Sequence, residues 1–79
     1  MKIPRNITGV QLAKKLKQYG YEQTRQTGSH IRLTTQIQGE HHITIPHHNP
    51  IKIGTLSAIL NDIATHFNIA KEEIVKNLF

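Results

Sequence analysis

The spacing of apolar residues divides the chain into elements. Leu56, Ile59, Leu60, Ile63, Ala64 and Phe67 recur at helical intervals, the strongest such pattern in the sequence. Gly54-Thr55 is expected to open this helix, with Thr55 available to cap it. Asn68 is expected to close it in the left-handed position that glycine usually holds. An earlier helix is predicted from about Gly9 to Tyr19. Thr8 and Gln11 have the spacing of a capping box, and Gly20 suits the position after the last turn. Val10, Leu12, Ala13, Leu16 and Tyr19 fall on or near its apolar stripe, and Lys14, Lys15, Lys17 and Gln18 lie off it. A short last helix, about Ala70 to Leu78, turns Ile74 and Leu78 inward. Glu72 and Glu73 lie near its positive end.

Between the first two helices the pattern alternates. His30 to Thr35 and His41 to Pro46 read as strands, the second ended by proline. Tyr21 to Gln26 reads as a polar edge strand. Gly28-Ser29 and Gln38-Gly39 supply turns, so an antiparallel meander is the economical arrangement. Its dry face is Ile31, Leu33, Ile43 and Ile45; its wet face is His30, Arg32, Thr34, His42 and Thr44. Met1 to Ile7 is an extended lead-in, and His47 to Ile53 a loop around Asn49-Pro50. The expected class is α+β, in the order α-β-β-β-α with a short C-terminal helix. Both main helices pack on the apolar face of the sheet and leave the other face to water. Tyr19 and Tyr21 are expected to pack at the helix-to-strand corner.

Composition narrows the function. Seventy-nine residues are expected to form one domain, with a core too modest to enclose a deep, dry active site. Ten Lys and Arg against five Asp and Glu give a formal +5, which favours a polyanionic partner. Without cysteine there is neither disulfide nor thiol chemistry. No apolar run approaches a membrane span and no apolar signal region follows Met1, so the cytoplasm is the expected location.

The candidate chemistry lies in Thr27-Gly28-Ser29-His30-Ile31-Arg32-Leu33. A turn delivers His30 and Arg32 to one open strand face, and a titratable ring beside a fixed cation suits work on a phosphate. Read functionally, His30 is the catalytic residue of a small ribonuclease. Read plainly, it is a solvent-facing histidine. RNA carries its own nucleophile, the 2′-OH, so a positioned base can drive cleavage without a metal, and no cofactor is expected. His42 and His48 are candidates for a second proton donor. Lys52, just before the second main helix, could hold a phosphate at the helix end, or that end could serve only to start the helix. His41-His42 and His47-His48 invite a metal reading, but adjacent strand residues face opposite ways and no metal-binding spacing supports it.

These pieces together resemble the HicA, or YcfA-like, family of small toxins. The matching residues are Gly28-Ser29-His30 before an alternating strand, Ile43-Thr44-Ile45-Pro46 with His48 two residues on, and Lys52-Ile53-Gly54-Thr55-Leu56 with Ile59-Leu60. Ile69-Ala70-Lys71-Glu72-Glu73 begins the last helix in the family's manner. The resemblance spans nearly the whole chain. It implies a double-stranded-RNA-binding-domain-like fold and a toxin that cleaves mRNA, neutralised by a HicB-type antitoxin. It maps the essential histidine onto His30. Ser29, Arg32, Lys52 and His48 are the expected RNA contacts. Asn68, Ala70 and Ser57 depart from the usual Gly, Ser and Arg. Two other readings stand beside this one: an RNA-binding module that does not cut, and an attenuated toxin acting mainly in its antitoxin complex.

Overall fold

The computed structural model describes residues 2–79, so of the predicted lead-in only Met1 lies outside the described residues. Helix α1 spans Gly9–Lys15 and tightens into a 3-10 turn at Leu16–Tyr19. Strands β1 (Glu22–Thr27), β2 (His30–Thr35) and β3 (His41–Pro46) follow, then helices α2 (Ile53–Phe67) and α3 (Lys71–Leu78). The sheet is antiparallel in the order β1-β2-β3. This is the α-β-β-β-α-α arrangement of a double-stranded-RNA-binding-domain-like α+β fold.

The capping box forms as the spacing requires. Thr8 Oγ1 accepts from the Gln11 backbone N–H at 3.1 Å, and Gln11 Oε1 accepts from the Thr8 N–H at 2.9 Å. Gly20, at φ +81, ends the 3-10 turn, and Asn68, at φ +55, caps α2. The start of α2 differs from expectation. Lys52 is the N-cap and Ile53 the first helical residue, so Thr55 lies inside the first turn instead of capping it. The loop before it explains the shift: Ile51 is buried and donates its N–H to the Ile7 carbonyl at 2.8 Å, which anchors the chain ahead of Lys52. Val10 departs from its predicted stripe and is exposed, while Leu12 of α1 and Leu16 of the 3-10 turn face inward as expected.

Ile31, Leu33, Ile43 and Ile45 are buried against Leu12, Leu16, Leu56, Leu60 and Ile63. Each such side chain contributes about 1.5–3 kcal/mol by leaving water. That burial fixes the strand faces, since a one-residue slip would expose all four. Arg32, His42 and Thr44 consequently face solvent. Tyr19 and Tyr21 pack at the helix-to-strand corner, both against Phe67. Among the described residues, no helix is long and apolar enough to cross a membrane.

Tyr21 sits at 0% exposure with its hydroxyl hydrogen-bonded to His41 Nδ1 at 2.6 Å, and His41 Nε2 reaches Asp62 Oδ1 at 3.2 Å. Burial first, and the Asp62 carboxylate second, hold the phenol's pKa well above its ordinary value. The folded state therefore keeps a proton that the unfolded chain releases near pH 10. This contribution is complete below that pH and is lost as pH rises through the folded-state pKa. Urea melts above pH 10 are expected to show stability falling with pH, and Tyr21→Phe should make the fall shallower. An equal fall in both proteins would dismiss Tyr21 as its source.

Candidate functional site

The β1–β2 connection is a two-residue turn. Gly28 has φ +55 and Ser29 has negative φ, the pattern of a type II′ hairpin turn. A side chain at Gly28 would meet nothing within 4 Å, so the glycine answers to backbone conformation and not to space. His30 opens β2 opposite Thr27 on one side and Pro46 on the other. The ladder continues one step further, where the His47 N–H donates to the Ser29 carbonyl at 2.6 Å. The backbone at His30 is thus held from both sides. Its imidazole is exposed, and among the described residues nothing hydrogen-bonds the ring.

One step along the same face, Arg32 stands opposite Arg25 on β1 and Thr44 on β3. Arg25, Thr27, His30, Arg32 and Thr44 together line a shallow cleft of about 360 Å³. The two-residue turn puts Arg25 there, since the ladder runs Thr27–His30, Gln26–Ile31 and Arg25–Arg32, and a bulge follows it. Glu22 pairs with Thr34 and Gln23 with Leu33, but Arg25 then pairs with Arg32, so Thr24 is the extra residue. Beyond this bulge the facing reverses, which turns Gln23 toward the side of Leu33. Thr24 stays on the open side, its hydroxyl within 3.4 Å of the Arg32 carbonyl and 3.3 Å of Thr34 Oγ1. Neither arginine has an acidic partner. The ion pairs among the described residues are His41–Asp62 and His42–Glu40.

The sequence-predicted residues divide. His30 and Arg32 share the cleft, and Ser29 adjoins it in the turn. His48 lies instead beside the start of α1, in a depression with Thr8, Val10, His47 and Asn49, and its carbonyl accepts the Gly9 N–H at 3.0 Å. Lys52 sits exposed at the N-cap of α2 and does not line the cleft. His42 faces the open side four positions from Pro46, roughly 13 Å along the strand from the level of His30. Both its ring nitrogens are engaged, by Thr34 Oγ1 at 2.7 Å and Glu40 Oε2 at 2.6 Å. It is therefore no second proton donor for the cleft. His41 turns to the other side of the sheet, where its ring stacks on His66 with centroids 4.3 Å apart.

Arg25 and Thr27 are the cleft residues that sequence reasoning missed. β1 is exposed along its whole length, so no apolar residue announces which of its positions face the helices. The signal that could have found them is the turn, since two residues at Gly28-Ser29 set Thr27 opposite His30 and Arg25 opposite Arg32.

The cleft offers one titratable ring, two fixed cations and two hydroxyls on an uncovered sheet face. That set can bind an anion and move a proton beside it. No curated protein and no solved structure matches the chain. Residues 9–64 match the family model described as HicA toxin of bacterial toxin-antitoxin. That span takes in α1, the whole sheet and most of α2, with every residue that lines the cleft. The chain belongs to the HicA toxin family of toxin–antitoxin systems.

Proposed function

We propose that this toxin is a metal-independent endoribonuclease that cuts mRNA in the cytoplasm, with His30 as its proton-transfer group. The observation that carries the reading is the exposed His30 imidazole in one cleft with the Arg32 guanidinium. His30 removes the proton from a ribose 2′-OH. The freed oxygen attacks the adjacent phosphorus, and the bond to the 5′-oxygen breaks. Arg32 neutralises charge growing on the non-bridging oxygens. The leaving oxygen takes its proton from water or from the protonated His30. The products end in a 2′,3′-cyclic phosphate and a 5′-hydroxyl. Ser29 contacts RNA at the turn. His48 and Lys52 would meet RNA only outside the scissile nucleotide. A HicB-type antitoxin neutralises the toxin by presenting acidic groups to this basic face, since the chain carries a formal +5.

The test is cleavage of an RNA oligonucleotide against the same sequence with one 2′-deoxy sugar at the cut. The deoxy substrate should bind and stay intact, and EDTA should leave the rate on RNA unchanged. Cutting of the deoxy linkage would sink the 2′-OH mechanism. Loss of activity in EDTA would sink metal independence.

A further inference from the structure

We infer that Arg25 is a second substrate-binding residue, closing with Arg32 on the phosphate that His30 acts beside. The inference rests on the endoribonuclease reading for the identity of that phosphate. Two like charges directly opposite on neighbouring strands oppose the pairing, and cross-strand positions normally avoid them. Here the tight turn creates the juxtaposition, because Thr27 opposite His30 fixes Arg25 opposite Arg32, and the bulge at Thr24 follows directly after the arginine pair. No carboxylate among the described residues offsets either guanidinium. The cleft they line opens to solvent and holds no acidic side chain. Such a pair is at its lowest energy with an anion between the two forks. A phosphate can accept bidentate hydrogen bonds from one guanidinium and still present an oxygen to the other.

The row of Arg25, Arg32 and Thr44 lies next to the row of Thr27, His30 and Pro46. Arg32 is two positions along β2 from His30, roughly 6.6 Å along the strand. A phosphate held between the arginines therefore has its ribose at the level of the imidazole. Arg25 supplies grip and charge neutralisation. Its position on β1 also sets the direction from which the RNA strand crosses the sheet.

Two measurements test the clamp. In the first, isotope-labelled protein is titrated with inorganic phosphate while the side-chain Nε–H signals of Arg25 and Arg32 are followed. Both should move along one saturation curve, and R25Q should weaken the curve seen at Arg32. In the second, the affinity for the uncleavable 2′-deoxy-containing RNA is measured over a range of salt. R25Q should lower affinity roughly tenfold, as expected for loss of a charge-assisted contact. It should also flatten the log–log salt dependence by about 0.7, one phosphate's worth on a single strand. R25K should restore the salt slope while recovering only part of the affinity, because an ammonium replaces the charge but not the fork. Separate phosphate curves for the two arginines would overturn the clamp. So would unchanged RNA affinity and salt slope in R25Q when R32Q loses both, and either result leaves the nuclease reading standing. Shared phosphate binding in a protein that neither binds nor cuts RNA keeps the clamp and overturns the nuclease reading.

Discussion

His30→Ala is expected to lower RNA cleavage by roughly 10²–10⁴-fold, the range that a positioned acid–base group supplies. Of the side chains lining the cleft, the two arginines stay charged and the two threonines stay neutral at any working pH. Only the imidazole has the chemistry of a general acid or base. His42 cannot take over, since it is engaged by Thr34 and Glu40 well along the sheet. The ring is exposed, so its loss opens no cavity and the melting temperature should stay close to that of the wild type. RNA affinity should also survive, because the arginines remain. Expression of the variant should then spare both growth and mRNA. Full activity in His30→Ala would move the chemistry out of this cleft altogether.

Gly9→Ala is expected to be strongly destabilising for so small a change. A Cβ at Gly9 would lie 2.4 Å from the Pro46 carbonyl oxygen and 3.2 Å from His47 Cα. Both are backbone atoms, so neither can swing aside as a flexible side chain would. The Gly9 N–H also donates to the His48 carbonyl at 3.0 Å, which ties the start of α1 to the same segment. Relief requires moving the helix off the end of β3. Overpacking of this kind costs about 1–3 kcal/mol, and each kcal/mol lowers the melting temperature of so small a protein by about 4–8 °C. The displaced segment includes His47, whose N–H holds the Ser29 carbonyl beside His30, so cleavage by the folded fraction should fall as well. Thermal melts and single-turnover rates on the same samples would separate the two effects. Gly54→Ala is the control, because a Cβ there meets nothing within 4 Å and the site is helical. A Gly9→Ala protein as stable as Gly54→Ala would refute the packing argument.

Burial made much of this legible in advance. Isoleucine and leucine at alternate positions of β2 and β3 state which face is dry, and His30 and Arg32 follow onto the other. Thr8 with Gln11, and Asn68 after Phe67, are local capping chemistry and read directly. Arg25 could not be read this way. Its strand buries nothing, so its facing follows only from counting back from His30 through the two-residue turn, and the inversion beyond it at Thr24 shows only in the register with β2. His48 and Lys52 failed to join the cleft for a different reason. Their positions depend on how the loop after β3 folds back toward Ile7 and Gly9, a contact between distant segments that no short motif encodes.

The division of the sheet into a sealed side and an uncovered side has an evolutionary consequence. None of the side chains lining the cleft takes part in the hydrophobic core. Mutations that disarm the toxin should therefore sort into two populations in a survival screen. One will accumulate at normal abundance with intact melting curves, altered only at the cleft. The other will be scarce in the cell, altered at residues such as Leu12, Ile45 or Leu60. A lineage can thus retune or silence its toxicity without renegotiating its foldability.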